Sequence, residues 1–284
     1  MLTLAIQKSG RLSEKTLKLL KDAGITFQNG KSATLKSKAL NFPMEILFFR
    51  DDDIPEYVAD KVADAGVVGE NVCLEKERNV QIIERLGFAK CRMSIAVPKD
   101  KEYGSGKDLN GLNIATSYPV ILKKYLDENN IKAGIHTISG SVEITPGINL
   151  ADAIFDIVST GSTLMSNGLK EVEKVIDSEA VLISNPDLDD IKKNILNKLL
   201  FRIKSVNEAA SNKYILLNAP NKAIEEISKI LPGMKSPTIM PLALEGWSSV
   251  HTVINKDQFW EKIESLKAAG AQGILVFPIE NMII

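Results

Sequence analysis

The sequence predicts an α/β protein built as two lobes, followed by a smaller domain of ferredoxin-like order. Strand-length apolar runs alternate with amphipathic helical stretches up to about residue 200, the pattern of parallel sheets covered by helices. Proline and glycine punctuation between Pro98 and Gly111 predicts a crossing from one lobe to the next. From Lys213 onward the order becomes βαββαβ, that of a ferredoxin-like unit. The expected divisions are 1–97 for the first lobe, 98–179 for the second, 180–210 for the return to the first lobe and a linker, and 211–284 for the last domain.

Leu2–Ile6 reads as a strand, and a helix follows from Ser13 on Leu17, Leu19 and Leu20 until Gly24 stops it. Glu45–Phe49 is a second strand that ends at Arg50. Ile54-Pro55 opens a helix, with proline in the first turn where its missing N–H costs little, and Gly66 is expected to end it. Val67-Val68 begins a strand, and Cys91–Val97 is another that Pro98 closes. Leu112–Thr116 is a strand, with Ser117 expected to cap a helix through Ile121, Leu122, Tyr125 and Leu126. Ala180–Ile183 reads as a strand and Asp187–Leu200 as a helix, and the Ser-, Asn- and Ala-rich 203–212 is the expected linker. In the tail, Lys213–Asn218, Thr238–Leu242, Val250–Ile254 and Gly273–Phe277 read as strands, with helices at Lys222–Leu231 and Gln258–Ala269.

Composition excludes several classes. A net charge of -1 and a pI near 6.2 leave no basic footprint for nucleic acid, so any anion must be met by a local cluster of donors. Cys73 and Cys91 form no disulfide framework and no CxxC pair, and they fit a reducing compartment. Lys8 follows the first apolar run, whereas a secretory signal has its charge first. No apolar window reaches the ~18 residues of a membrane span, and a cytoplasmic protein is expected.

The most telling stretch is Ala151–Leu164, an apolar strand with acids at Asp152 and Asp156 that runs into Ser159-Thr-Gly-Ser-Thr163 and opens a helix. Free N–H groups at a helix start, the helix dipole and short hydroxyl side chains can converge on one phosphate. Gly161 lets the backbone come close, and Ser159, Thr160, Ser162 and Thr163 add donors. A carboxylate accepts hydrogen bonds from two adjacent ribose hydroxyls, so Asp156, with Asp152, suits the sugar of a 5-phosphoribosyl group. The turn lacks the Gly-Lys-Ser/Thr ending of a nucleotide triphosphatase loop. An ordinary strand, polar turn and helix is the competing reading of the bare string.

Several segments in order resemble ATP phosphoribosyltransferase, the first enzyme of histidine biosynthesis, in its long, regulated form. They are Gln7-Lys-Ser-Gly-Arg-Leu12, Arg50-Asp-Asp-Asp-Ile-Pro55, Gly66-Val-Val-Gly-Glu-Asn71 and Ala115-Thr-Ser-Tyr-Pro119. Gly140-Ser-Val-Glu143, Asp156–Leu164, and in the tail Pro237–Pro241 and Ile274–Ile279 complete the set. The resemblance implies a two-lobed catalytic part like that of periplasmic binding proteins and a regulatory ferredoxin-like domain. It implies transfer of the 5-phosphoribosyl group of phosphoribosyl pyrophosphate to N1 of ATP, with Mg²⁺ carried by the substrate pyrophosphate. Feedback inhibition by histidine and a homo-oligomer, dimer or hexamer, are implied as well.

On that resemblance Asp152, Asp156, Ser159, Thr160, Gly161, Ser162 and Thr163 bind phosphoribosyl pyrophosphate. Lys8, Gly10, Arg11, Arg50, Glu70 and Tyr118 serve ATP. Arg11 and Arg50 offer a fork that matches phosphate, Glu70 would face the adenine or nearby groups, and Tyr118 could stack on a base. Glu143 is a candidate for the substrate or its metal, and Asn218, Ser236, Thr238 and Gly273 are candidates for the histidine pocket. His136 and His251 have no catalytic or metal spacing, no firm protein ligand for Mg²⁺ stands out, and no general base emerges. Two other readings compete: a small-molecule sensor, which has no need of a ribose-phosphate cradle, and a scaffold subunit, which intact Lys8–Arg11 and loop segments weaken.

Overall fold

The computed structural model describes residues 1–27 and 35–284. They fall into two compact units, one of residues 1–18 and 25–197, the other of 19–24 and 198–284. The first unit opens with β1 (Leu2–Gln7) and α1 (Arg11–Asp22), then β2 (Lys36–Lys38), β3 (Met44–Phe49), α2 (Ile54–Ala59), β4 (Ala65–Gly69), α3 (Glu70–Lys76) and β5 (Gln81–Arg85). It continues with β6 (Cys91–Pro98), β7 (Asn113–Thr116), α4 (Pro119–Glu128), β8 (Gly134–Thr137), β9 (Ala153–Val158), α5 (Ser162–Ser166) and β10 (Leu169–Ser178). β11 (Ala180–Ser184) follows, and α6 (Asp190–Ser211) belongs to the first unit up to Asn197 and to the second from Lys198.

Two sheets result, ordered β2-β3-β1-β4-β11-β5 and β10-β6-β9-β7-β8. Each sheet forms the centre of one lobe, so the unit has the expected two-lobed α/β plan. β11 lies in the first sheet although it follows all five strands of the second. Both sheets are mixed, which corrects the expectation of parallel ones. β1 pairs in parallel with β3 and β4, and β7 with β8 and β9, while β11 runs against β4 and β5, and β6 against β9 and β10. Chain arriving from the other lobe enters without a helical crossover, and a parallel neighbour needs one.

The lobe boundary also differs. β6 pairs with β9 and β10, so Pro98 ends a strand of the second lobe. The crossing lies earlier, where Gly87 (φ 76) and Ala89 (φ 53) turn the chain in left-handed conformations. The helix expected to reach Gly66 stops at Ala59, with Lys61 at φ 62 just beyond it. Gly66 sits inside β4, where a Cβ would lie 2.6 Å from the Cγ2 of Ile54 and 3.1 Å from that of Val58. Its missing side chain lets α2 lie close against the sheet.

Buried polar groups tie these pieces together. Asp64, 5% exposed, accepts from the Thr3 amide at 2.8 Å and from Lys192 Nζ at 2.7 Å, so a buried carboxylate is matched by a cation and a donor. The Ser178 hydroxyl donates to Asn71 at 2.9 Å and accepts from its amide at 3.1 Å, which fixes α3 to the returning chain.

Of the expected linker 203–212, residues 203–211 continue α6 and Asn212 opens the next strand. Leu196, Leu199, Ile203 and Val206 are all buried at three- and four-residue spacing, so the helical face persists through the polar composition. In the second unit, β12 (Asn212–Pro220), α7 (Ile224–Ile230), β13 (Thr238–Pro241), β14 (Trp247–Asn255), α8 (Phe259–Ala268) and β15 (Gln272–Pro278) follow the βαββαβ order. Their sheet runs β13-β14-β12-β15 and is antiparallel throughout. Ile215, Leu217 and Ala219 of β12 and Val250 and Ile254 of β14 form a core with Ile227, Leu231 and Leu266. The alternate residues of those strands face the other way.

Candidate active site between the two sheets

Open α/β sheets bind ligands beyond the carboxyl ends of their parallel strands. In the first sheet β1, β3 and β4 end together. The Lys8 amide donates to the Phe49 carbonyl at 2.8 Å, so Lys8 and Arg50 leave adjacent strands side by side, both exposed. Gly10 closes the turn at φ 95, and Arg11 is the first residue of α1. Asp51, just beyond Arg50, was not singled out from the sequence. Burial, and then the neighbouring Asp52, raise its pKa.

In the second sheet β7 leads to Tyr118 and β9 to the hydroxyl-rich turn. Gly161 has φ 80, which an L side chain would strain, and the Thr160 and Ser162 hydroxyls meet at 3.0 Å. Asp156, half-buried near the end of β9, accepts from the Ile157 amide at 2.7 Å. Its pKa is raised, first by burial and then by the charge of Glu143, so the two carboxylates share one patch. Glu143 itself lies in a short helical turn held by buried Val142.

The two edges face each other. The Tyr118 pKa is pushed up by burial and then by Asp156 of the second lobe together with Asp52 and Asp51 of the first, which keeps the phenol neutral. Glu75 of α3 reaches across to α4. Its carboxylate accepts from the Val120 amide at 3.0 and 3.1 Å and from the Ile121 amide at 3.1 Å. The expected cap, Ser117, instead donates to the Ile138 carbonyl at 2.8 Å, and Tyr118 occupies the N-cap position without a side-chain cap. Glu75→Ala removes the only side-chain cap that the described residues supply to α4, worth about 1 kcal/mol. A melting temperature lower by about 2–4 °C is expected, with Glu75→Gln retaining most of it. An unchanged Glu75→Ala melting curve would show that the cap contributes nothing.

Three expectations need correction. Asp152 precedes β9 at the end away from the turn, where its carboxylate accepts from the Asn113 amide at 2.8 Å, so it joins β7 to β9 and is not brought to the loop. α5 has only five residues, which leaves its dipole small, although its first N–H groups are still without ladder partners. Glu70 pairs with Arg85, whose Nε lies 3.3 Å from one carboxylate oxygen, and lines a cavity of about 410 Å³ with Lys90, Cys91, Asp177, Ser178 and Glu179. Burial raises the thiol pKa of Cys73 to about 12 and also raises that of Cys91, so neither is a ready nucleophile. His136 is exposed on β8.

In the second unit, Asn218 pairs with Ser249, and Thr238 with His251, so the four lie in neighbouring rows on the sheet face opposite the core. A Cβ on Gly273 (φ 56) would stand 3.5 Å from the Asn218 amide nitrogen, which places these two together. Ser236 lies in the turn before β13. His251, unassigned in the sequence, has the Tyr214 hydroxyl 3.0 Å from Nδ1 and that of Ser249 3.0 Å from Nε2. Among the described residues no three His, Cys, Asp or Glu side chains could hold a metal ion, and no helix is long and apolar enough to cross a membrane.

A family model described as ATP phosphoribosyltransferase matches residues 50–205, and one described as the HisG C-terminal domain matches residues 209–281. A curated ATP phosphoribosyltransferase of Cytophaga hutchinsonii is 60% identical, with 99% of this chain and 98% of that protein covered. One from Bacteroides thetaiotaomicron is 58% identical with both chains covered in full. Among solved structures, a chain of the ATP phosphoribosyl transferase (HisG:HisZ) complex from Thermotoga maritima matches with a TM-score of 0.61 and 30% identity. The match covers 72% of this chain and 99% of that one.

Proposed function

The chain belongs to the ATP phosphoribosyltransferase family, in the long form that carries the C-terminal domain, and we propose that it joins the 5-phosphoribosyl group of phosphoribosyl pyrophosphate to N1 of ATP. The family stands at the first step of histidine biosynthesis. In the reaction the bond from ribose C1 to the pyrophosphate oxygen breaks, and its electron pair leaves on pyrophosphate. The adenine N1 lone pair forms the new bond, so no proton has to be taken from the nucleophile.

One observation carries the reading: Glu75 of the first lobe accepts from the Val120 amide at 3.0 and 3.1 Å and from the Ile121 amide at 3.1 Å in the second, which supports one cleft bordered by both edges. Ser159, Thr160, Gly161, Ser162 and Thr163 hold the 5-phosphate by backbone N–H groups and hydroxyls more than by the short helix's dipole. Asp156 accepts from the ribose hydroxyls, and its charge with that of Glu143 favours the positive sugar of the transition state. Lys8, the turn at Gly10, Arg11 and Arg50 meet the ATP phosphates, and Tyr118 packs beside the base. Asp152 and Glu70, engaged by Asn113 and Arg85, are left out of direct contact.

Magnesium belongs with the pyrophosphate. The ion typically takes one or two carboxylates plus substrate phosphates and water, and the patch of Asp156 and Glu143 fits that donor set without forming a protein cage. Bound there, it would neutralise charge on the leaving group. The C-terminal domain, with Asn218, Ser236, Thr238 and Gly273, is read as the seat of histidine feedback inhibition in a cytoplasmic homo-oligomer, dimer or hexamer.

Thr163→Ala tests the cradle. Loss of one charge-assisted hydrogen bond to a dianionic phosphate should weaken affinity for phosphoribosyl pyrophosphate about 10- to 150-fold. ATP binding alone should change little. An unchanged saturation curve for the sugar substrate in a folded variant would remove the loop from the site.

A further inference from the structure

Arg92 is the second residue of β6, directly opposite Val158, the residue that leads into the Ser159–Thr163 turn. Its Nε and Nη2 each donate at 2.5 Å to a different oxygen of Glu171 on β10. The third nitrogen, Nη1, donates at 3.1 Å to the carbonyl oxygen of Ser159. Ser94, two residues along β6 and opposite Asp156, donates its hydroxyl to the same Glu171 at 2.7 Å. A side-chain brace therefore runs from β10 across β6 and ends on the first carbonyl of the turn.

The pair is ionised on both sides. The hydrogen bond to Glu171 raises the Arg92 pKa, and the one from Arg92 holds Glu171 low. Since Glu171 cancels most of the guanidinium's charge, the net field that Arg92 adds at the loop is small. What remains is geometry. A planar fork locked bidentately on one carboxylate has little freedom left, so the Nη1 bond pins Ser159. In the turn beyond it Thr160, Ser162 and Thr163 are exposed.

We propose that Arg92, held by Glu171 and Ser94, is the positioning residue of the phosphate-binding turn. It sets the Ser159 carbonyl and, through it, the direction of the donors from Thr160 to Thr163. The proposal rests on the reading that this turn holds the 5-phosphate. A misplacement of about 1 Å can cost two orders of magnitude when groups must converge on one ligand, so a brace on the turn's first residue acts on binding and turnover without touching substrate.

The test uses Arg92→Lys and Ser94→Ala in the full chain, with Thr163→Ala as comparator. Lysine keeps the charge and can still pair with Glu171, but its single nitrogen cannot take the places of the three guanidinium nitrogens that form the fork and the separate Ser159 bond. Arg92→Lys should weaken phosphoribosyl pyrophosphate binding about tenfold, the worth of one charge-assisted hydrogen bond. Ser94→Ala should move it in the same direction by less. ATP affinity should stay within about twofold, and the melting temperature should move by no more than a few degrees.

The double variant Arg92→Lys/Thr163→Ala should lose less than the product of the single losses, because a displaced loop has already spoiled the Thr163 contact. If Thr163→Ala weakens the sugar substrate and Arg92→Lys does not, the positioning role falls while the loop reading stands. If neither variant moves it, both fall. Equal losses for both substrates with a large drop in melting temperature would make Arg92 a general structural residue and overturn the proposal.

Discussion

Asp156→Asn is expected to yield a protein that is more stable without substrate and nearly inert with it. In the folded chain the Asp156 pKa is raised, chiefly by burial and then by Glu143. A raised pKa means that the folded state binds the proton more tightly than the unfolded chain does. The stability linked to that proton is fully present below the unfolded pKa and is lost as pH rises through the folded one. At neutral pH the ionised carboxylate therefore opposes folding until ribose hydroxyls meet it. Asparagine removes that charge and keeps the shape, so the melting temperature should rise by a few degrees near pH 8 and barely change near pH 4. Two charge-assisted hydrogen bonds to the ribose would be weakened together, and kcat/KM for phosphoribosyl pyrophosphate should fall at least about 100-fold. The acid limb of kcat/KM in the unsubstituted protein should lie above the usual carboxylate range. A variant that is no more stable and loses only a few-fold in kcat/KM would show that Asp156 is an ordinary strand-end acid.

What could be read from the sequence depended on how local the signal was. The tail is legible almost element by element because Ile215, Leu217 and Ala219 alternate along β12 up to Pro220, while Gly246 precedes β14 and Gly273 lies at the start of β15. β10 was missed for the opposite reason. Lys170, Glu171, Glu173 and Lys174 interrupt its apolar positions, and register shifts after Glu171 and Lys174 break the two-residue period. α3 spans seven residues, too few to show a helical period. At 203–211 the Ser and Asn composition masks the helical spacing of buried Ile203 and Val206.

At the candidate site the same division holds. Asp156 and Thr163 lie within one strand and one turn, and their pattern is visible in a single stretch of chain. Asp152 stands four positions before Asp156, about 13 Å along an extended strand, so it lies at the end of β9 away from the turn. Glu75 and Arg92 could not be found this way. Their partners lie 45 and 79 residues further on, and only the sheet order brings them together.

Thr238→Lys is expected to free the enzyme from histidine while leaving its basal rate unchanged. Thr238 is exposed on the sheet face opposite the core, in register with His251 and one row from Asn218 and Ser249. A lysine there disturbs no buried contact, so the variant should fold and melt normally. Its ammonium would repel the α-ammonium of histidine and occupy the space beside the Asn218 amide. Effector and substrate must oppose each other reciprocally, with couplings of about 1–3 kcal/mol, or about 5- to 150-fold in affinity. The substitution should therefore raise the histidine concentration for half-inhibition by at least about tenfold. In the unsubstituted protein, saturating histidine should weaken substrate binding, and the variant should lose that effect as well. Truncation after Val206 is a poorer experiment, because α6 continues to Ser211 and Ala209 is buried, so the cut removes packed helix along with the sheet. If histidine leaves the unsubstituted enzyme untouched, the last domain does not sense it. If it inhibits both proteins alike, the pocket lies away from this sheet face.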